Sequence, residues 1–457
     1  MKRNFRNLIA LMLTATLTMS LGACGQLQNE TPENVKTPAN TDVQVDTETS
    51  VQGEKKNVKI SYMVSQADYN EAYQTVAKKI KEEHGYEVEF QVVPDGEFKN
   101  LLQVKLATSE APDVFETTAP NENETYNAYE NCVDLSNEDW VSRLVTQDVI
   151  KDKTDGKIYA MPMQSASGFM GVFYNKQILA DCGIENPHPT TYAEFLKILE
   201  TIKQKGGGVT PIYMTNGDTW TTQIFMTAGY PVSLNEQAEE VYAKLLRNEL
   251  KWTDVPEVKM VLDRYKELYD LGYVNEDAIS ATYDTAADKI ATGEAAMYLN
   301  VEGFANDLAA KYPDCELGSF VIPFNDVDKM AVGSYVKGLY VPKAGKQVDE
   351  TLEFLNIWSQ PEYRNLYHES QPGFSAFGDV DGGEVPESVA YLVDNYVNTD
   401  KYVYENNSYM TVASSLSPDL WSYYNEMVAG MKTSDEVLES YQRIYEDYMH
   451  QLGQPGF

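Results

Sequence analysis

Two periodicities alternate between residues 57 and 119. Some stretches alternate apolar and polar residues, which predicts strands, whereas others repeat apolar positions every three to four residues, which predicts helices. In chain order the pattern predicts a strand at 57–64, a helix at 70–83, a strand at 86–93, a helix bearing Phe98, Leu101, Leu102 and Leu106, and a strand at 111–119. This βαβαβ order predicts a parallel sheet with right-handed crossovers.

Polar residues follow two of these strands. Ser65 and Gln66 end the first strand, and Thr117 and Thr118 end the third, and both pairs lead into loops. In open α/β sheets, ligands bind beyond the carboxyl ends of the strands. The pattern therefore predicts a ligand site at this edge of the sheet.

A second unit begins after residue 156. Residues 157–175 have the pattern of two strands separated by small residues, and Thr191 with Glu194 predicts a capping box that opens a helix. The carboxyl-terminal part is helical again from about Pro418, with a break near Gly430. About 400 residues exceed what one core usually holds, so two compact lobes are expected.

The amino-terminal segment has the layout of an export signal. Basic residues precede an apolar run too short to span a bilayer, and the sequence LGAC at 21–24 resembles a bacterial lipobox. We predict a signal peptide at 1–23, a lipid anchor on Cys24 and a flexible polar tether at 24–56, which places the protein on the outer face of the bacterial cell membrane. The alternative is an ordinary secreted protein with a chance cysteine at this position.

The net charge of the chain limits the classes of partner that it can bind. It has 457 residues, with 36 Lys and Arg against 70 Asp and Glu, for a net charge of −34. Such an excess argues against nucleic acid or an anionic lipid surface as a partner. After lipidation Cys132, Cys182 and Cys315 remain, which allows one disulfide at most. The 32 tyrosines are compatible with a ligand that has apolar faces and hydroxyl groups.

The motifs of common catalytic and metal sites are missing from the sequence. The four histidines are scattered, no cysteine pair has zinc spacing, and no phosphate-binding loop is present. Residues 379–382 hint at a calcium loop, but its third ligand and distal glutamate are misplaced. We therefore expect no cofactor, no metal ion and no catalytic residue.

Several segments in a fixed order resemble the family 1 extracellular solute-binding proteins, the lipoprotein receptors of ATP-driven carbohydrate importers, related to the maltose-binding protein. Besides the lipobox and βαβαβ unit, they are GKIYAMP (156–162), GVFYNK (171–176), HPTTYAEFLKIL (188–199), TGEAAMYLN (292–300), VGSYVKGLYVPKAGK (332–346) and SPDLWSYY (417–424).

The resemblance implies an α/β, two-lobed fold of the type II periplasmic-binding-protein class, each lobe a sheet flanked by helices, joined by hinge strands. It places the first lobe at 57–165 and 337–385 and the second at 166–336 and 386–457. It also implies a monomer that holds a carbohydrate between its lobes and delivers it to the permease subunits of an ABC transporter.

The resemblance also suggests the residues that contact the ligand. Gln66 and Thr117 match contacts of the first lobe, and Ser165 and Tyr335 fall in the two hinge crossings. The candidates of the second lobe are Glu302 as a hydroxyl acceptor and, as stacking aromatics, Trp220, Phe304 and Trp421. Residues 300–304 depart from the family pattern by an extra residue and by Phe in place of Trp.

Two other functions stay open at this stage. A glycosidase needs only two carboxylates across a cleft, so a membrane-anchored carbohydrate-active enzyme is one alternative. The other is a receptor of the same two-lobed design for a non-sugar solute such as a peptide. The ordered segments favour a receptor over an enzyme, and the aromatic residues favour a sugar over other solutes.

Overall fold

A computed structural model describes residues 56–457 except 109 and 411. The predicted signal peptide, Cys24 and all but the last residue of the predicted tether lie outside the described residues. The strands are β1 (Val58–Ser65), β2 (Tyr86–Val93), β3 (Val114–Ala119), β4 (Ala160–Pro162), β5 (Gly171–Asn175), β6 (Thr210–Tyr213), β7 (Ala295–Asn300), β8 (Leu317–Phe320), β9 (Met330–Val332), β10 (Val336–Tyr340) and β11 (Tyr402–Tyr404).

Helices cover both sheets described below. In chain order they are α1 (Glu71–His84), α2 (Asp95–Ala107), α3 (Ala128–Asn131), α4 (Lys176–Asp181), α5 (Tyr192–Lys205), α6 (Thr219–Thr222), α7 (Ile224–Leu234), α8 (Ala238–Leu246), α9 (Pro256–Asp270), α10 (Tyr283–Ala291), α11 (Gly303–Lys311), α12 (Val348–Trp358), α13 (Pro361–His368), α14 (Glu387–Leu392), α15 (Asn406–Tyr409), α16 (Ala413–Val428) and α17 (Ser434–Gln451). None of the helices in the described part of the chain is both long and apolar enough to span a bilayer.

The first sheet contains the predicted βαβαβ unit. Its strand order is β2-β1-β3-β10-β4, with β1 parallel to both β2 and β3 and with β10 antiparallel to both of its neighbours. The connecting helix α1 begins after Asn70, whose side chain accepts the backbone N–H of Ala72, and ends at Gly85 in the left-handed conformation. The parallel sheet predicted from the sequence is confirmed. We call this sheet and its helices the first lobe.

The second sheet has the order β6-β7-β5-β8, and β9 pairs with β11 beside it. Helix α5 packs on this sheet, and both hydrogen bonds of the predicted capping box between Thr191 and Glu194 are present. Near the carboxyl terminus, α16 begins at Ala413 rather than near Pro418, and the chain breaks at Gly430, whose φ is 78°. We call this sheet and its helices the second lobe.

Three segments join the lobes. The first crossing, residues 163–170, connects β4 to β5; the second, 333–335, connects β9 to β10; and the third, 369–386, connects α13 to α14. The Gly333 N–H donates to the Gly168 carbonyl at 3.0 Å, so the first two crossings lie side by side. Cys132, Cys182 and Cys315 are all free thiols.

Candidate ligand-binding cleft

A cavity of about 460 Å³ lies between the lobes and is lined by residues from both. Its size falls in the range of small-molecule binding sites. The carboxyl ends of β1 and β3 contribute Ser65, Thr117 and Thr118, as the parallel-sheet argument predicts. The cavity therefore lies at the edge of the first sheet where the strand pattern places a ligand.

The first-lobe wall combines an ion pair with hydroxyl groups. Lys337 on β10 contacts Asp68, with 2.8 Å between Nζ and Oδ2, and Asp68 Oδ2 also accepts the Ser65 hydroxyl at 2.8 Å. Burial of Lys337 disfavours the ammonium, but the attraction of Asp68 outweighs it, and the pKa of Lys337 lies above its ordinary value. The pair is held in place before any ligand binds.

Glu116 lies deeper in the same wall. Its side chain accepts the hydroxyls of Tyr62 and Tyr73, and only 1% of the residue is exposed. Burial raises the pKa of Glu116 to about 7, with a further rise from Asp68, and the two tyrosine hydroxyls only partly offset this. Glu116 is therefore a carboxyl group that titrates close to neutral pH.

An aromatic pair forms part of the second-lobe wall. The rings of Trp220 and Tyr283 lie 5.1 Å apart between centroids. The Tyr283 hydroxyl donates to Asp307 Oδ2 at 2.6 Å, and its backbone N–H donates to Asp218 Oδ2 at 2.7 Å. Asp218, immediately before α6, thereby fixes the start of α10 against the helix that bears Trp220. The pair offers apolar ring faces beside carboxylate oxygens, a combination suited to a sugar ring.

The two walls approach each other at Asp95 and Trp220. The Trp220 indole lies near the Asp95 carboxylate, but its N–H makes no hydrogen bond of normal geometry within the described structure. Burial raises the pKa of Asp95. Burial also raises the pKa of Asp218 on the other side of the cleft, and the negative charge of Asp95 raises it further. Burial likewise raises the pKa of Asp307 to about 6, with a further contribution from Asp68. Like charges thus face each other between the lobes.

Several buried polar atoms of lining residues have no hydrogen-bond partner in the described part of the chain. They are Trp220 Nε1, Asn121 Nδ2 and Oδ1, Asn306 Oδ1 and His368 Nε2. Buried polar atoms are nearly always paired in folded proteins, and leaving one unpaired costs about 1–3 kcal/mol. Each of these atoms is covered by protein, so a ligand in the cavity contacts them only if neighbouring side chains move.

Four of the predicted contact residues line the cavity: Thr117, Trp220, Glu302 and Tyr335. Both carboxylate oxygens of Glu302 also accept backbone N–H groups of the first crossing, and Tyr335 lies in the second crossing. Their roles as ligand contacts stay predictions, but the structure brings all four to one cleft.

The other four predicted residues lie outside the cavity lining. Gln66 is exposed, although its neighbours Ser65 and Ala67 line the cavity. Ser165 is buried, and its N–H and hydroxyl both donate to the Phe374 carbonyl. Phe304 is 1% exposed and packs on Tyr298 at 4.8 Å. Trp421 donates its indole N–H to the Asn216 carbonyl at 2.7 Å. These contacts pack Ser165, Phe304 and Trp421 in the folded chain, and the roles of all four residues as ligand contacts stay predictions.

Sequence analysis missed most of the charged lining residues. Asp68, Asp95, Glu116, Asp307 and Lys337 all line the cavity. A usable signal existed for two of them: Asp68 follows β1 within the same loop, and Lys337 lies in the segment that resembles the second hinge crossing. The other three are ordinary acidic residues in a chain with 70 of them, so nothing in the pattern distinguished them.

The titration of Glu116 predicts how stability depends on pH. Because its folded-state pKa is raised from 4.5 to about 7, the native protein holds a proton there that the unfolded chain has released between those values. Its favourable contribution is therefore present at acidic pH and is lost as pH rises through about 7. The loss is at most about 3 kcal/mol, since one pKa unit corresponds to about 1.4 kcal/mol.

We expect Glu116→Gln to become progressively more stable than the wild type as pH rises from 5 to 8. Chemical denaturation at several pH values measures the difference in the free energy of unfolding. A difference that does not change with pH would contradict the raised pKa of Glu116.

The sequence belongs to a known family. A sequence model of the bacterial extracellular solute-binding proteins matches residues 65–365, well over half of the chain. The chain therefore belongs to this family, and the family predicted from the sequence is confirmed. It is a binding protein by family membership, with a cleft between two lobes as its candidate site.

Named relatives agree with this assignment. The chain is 24% identical to the melibiose/raffinose/stachyose-binding protein MelE of Bacillus subtilis, over 67% of this chain and 71% of that protein. It is 26% identical to an uncharacterized ABC transporter extracellular-binding protein of Pyrococcus horikoshii, over 79% of this chain and 78% of that protein.

A solved structure of a sugar transporter from Bacillus licheniformis, in complex with stachyose, matches the fold. Its TM-score is 0.69 at 22% identity, covering 85% of this chain and 99% of that chain. The predicted α/β fold of the type II periplasmic-binding-protein class is confirmed.

Proposed function

We propose that the protein captures a neutral oligosaccharide in the cleft between its lobes and delivers it to the permease of an ABC importer. The observation that carries this proposal is the chemistry of the side chains that line the cavity. Trp220 and Tyr283 offer ring faces, and Thr118, Gln164 and Gln223 line the same cavity with polar side chains that can bind ring hydroxyls. The similarity to the melibiose/raffinose/stachyose-binding protein MelE supports these three sugars as the first ligands to test.

The negative charge of the cleft supports a neutral ligand over an acidic one. Asp68, Asp95, Glu116 and Asp307 line the cavity, against the two lysines Lys99 and Lys337. Burial lowers the pKa of Lys99, and Lys337 is already paired with Asp68. A uronic acid or sugar phosphate would therefore be repelled.

The remaining parts of the proposal concern location and assembly. A lipid on Cys24 would hold the receptor beside its permease and raise its local concentration there without new contacts. We also propose that the protein acts as a monomer and catalyses no reaction. The lobe boundaries that we propose are those given in the sequence analysis. Release of the protein from bacterial membranes by Cys24→Ser would test the anchor, and retention of that variant on the membrane would contradict it.

A thermal-shift screen tests the function. We expect a neutral oligosaccharide to raise the melting temperature, because a ligand that binds only the native state at about 100 times its Kd adds about 2.7 kcal/mol to stability. The panel contains melibiose, raffinose, stachyose, other mono- and oligosaccharides, amino acids and peptides, and chromatography checks the recovered sugar.

Each outcome of the screen separates the candidate functions. A shift with one sugar class and intact recovered sugar supports the receptor. If the recovered sugar is cleaved, the protein is a carbohydrate-active enzyme rather than a receptor. Shifts with peptides alone would keep the fold and overturn the ligand class.

A further inference from the structure

A carboxylate of the second lobe binds the backbone of the first crossing. Glu302, immediately before α11, accepts the Gly168 N–H through Oε1 at 3.1 Å and the Phe169 N–H through Oε2 at 2.8 Å. Both carboxylate oxygens are therefore engaged by main-chain groups of one crossing. Hydrogen bonds to an ionised acceptor are about twice as strong as neutral ones.

A second carboxylate supports the second crossing through one hydroxyl group. Glu405 Oε1 accepts the Ser408 hydroxyl at 2.8 Å, and Ser408 Oγ in turn accepts the Ser334 N–H at 2.9 Å. The backbone N–H of Glu405 also donates to the Val332 carbonyl at 2.8 Å, just before this crossing. Glu405 is fully buried. Each of the first two crossings is thus fixed to the second lobe by its own carboxylate.

The two crossings are also bound to each other. Gly333 N–H donates to the Gly168 carbonyl at 3.0 Å, and the Ser167 hydroxyl donates to the Tyr335 carbonyl at 2.7 Å. Displacement of one crossing would therefore disturb the other. The two carboxylates act on a single mechanical unit.

We propose that Glu302 and Glu405, in their ionised forms, are paired positioning residues that hold the two crossings rigid and so strengthen ligand binding. The effect on binding rests on the proposed function, whereas the effect on the crossings does not. A rigid hinge reduces the conformational entropy lost when the lobes close on a ligand. Loosening the second crossing through Glu405, which lies outside the cavity lining, would lower affinity without removing a ligand contact.

The ionisation of both groups makes this device sensitive to pH. Burial raises the pKa of Glu302 and of Glu405 to about 7. Tyr335 faces both groups, Tyr242 and Lys153 also face Glu405, and Asp68 faces Tyr335. Protonation converts one oxygen of each carboxylate into a hydroxyl, which is a poor hydrogen-bond acceptor. We therefore expect the crossings to loosen as the pH falls below about 7. Because the pKa of each group is raised in the folded state, the same protonation favours folding. As the pH falls, the free energy of unfolding therefore rises while the crossings become less rigid.

Hydrogen–deuterium exchange of the ligand-free protein tests the hinge directly. We expect Glu302→Gln to reduce amide protection at Gly168 and Phe169 about tenfold at pH 8, because a glutamine has one acceptor oxygen for two N–H donors. Glu405→Gln should reduce protection most at Ser334, with a smaller loss at the first crossing because the two crossings are bound to each other. Asp113→Asn is the matched control, since Asp113 is a buried carboxylate bound to Ser61 outside the crossings and the cavity lining.

Protection factors at pH 6, corrected for intrinsic exchange, should fall at Gly168 and Phe169 in the wild type and stay constant in E302Q. E302Q should also melt at or above the wild-type temperature at pH 8, which excludes misfolding as the cause. Unchanged protection in both variants would overturn the proposal, as would equal losses in D113N.

Affinity for the sugar identified by the thermal-shift screen provides the second measurement. We expect about a tenfold weaker Kd at pH 8 for E405Q, whose parent residue lies outside the cavity lining, and no change for D113N. Lost protection with unchanged affinity would contradict the link to binding. Lost protection in a protein that binds no sugar of the panel would leave the hinge assignment standing and overturn the proposed ligand class, so the two failures can be told apart.

Discussion

Replacing Trp220 by alanine is expected to weaken sugar binding about 30-fold or more, the size of effect seen at a central aromatic contact. Trp220 lies where the two walls meet, beside Tyr283 in its own lobe and near Asp95 of the other. Its indole N–H lies close to the Asp95 carboxylate, so truncation removes the aromatic surface at the point where the two walls meet. Calorimetric titration with the sugar from the screen measures the change.

Trp421→Ala is the matched control for this prediction. Trp421 was predicted from the resemblance to stack on the sugar, but its N–H is bound to the Asn216 carbonyl and its ring lies outside the cavity lining. We expect the Trp421 variant to lose stability and to keep its affinity within about threefold. Equal losses of affinity in the two variants would contradict the assignment of the cleft wall to Trp220.

Gly168→Ala is expected to lower both the free energy of unfolding and the affinity for sugar, because Gly168 lies where the first two crossings meet. Gly168 has a φ of 76°, and a Cβ there would lie 2.8 Å from the Gly333 backbone nitrogen. That distance is too short, so the two crossings must separate. We expect about a tenfold or greater loss of sugar affinity, together with about 2–3 kcal/mol of destabilisation from left-handed strain and the steric overlap.

Gly156 provides a control that separates backbone strain from the contact between crossings. Its φ is 73°, almost that of Gly168, but a Cβ there would meet no atom within 4 Å. Gly156→Ala should therefore lose only about 1–2 kcal/mol from the left-handed conformation and keep its affinity. Denaturation and calorimetry on both variants measure these quantities. Equal affinity in G156A and G168A would show that the spacing of the crossings does not matter for binding.

Local patterns predicted much of the fold because strand and helix periods depend on neighbouring residues. The alternation in β1 and β2, and the capping box at Thr191 and Glu194, each contain their own signal. The start of α16 was harder to locate, because Pro418 has the appearance of a helix start but lies inside the helix. The connection between the lobes came from the family resemblance rather than from any local pattern.

The site was predictable only in part because a contact residue is defined by the direction of its side chain. Gln66 and Ala67 are adjacent in sequence, yet only Ala67 lines the cavity. Phe304 and Trp220 are both aromatic residues next to polar loops, but Phe304 packs into the core. Glu302 was predicted as a hydroxyl acceptor, and the structure shows that its oxygens also bind the first crossing. Such differences depend on tertiary packing, which the sequence pattern does not contain.

The central claim is that one oligosaccharide binds between the lobes and leaves unchanged. Isothermal titration calorimetry of the protein with melibiose, raffinose and stachyose, followed by chromatography of the recovered sugar, tests it most directly. We predict binding of one sugar molecule per protein, strongly weakened in the Trp220→Ala variant, with the sugar recovered intact. Absence of binding to every neutral oligosaccharide, or recovery of cleaved sugar, would contradict the account.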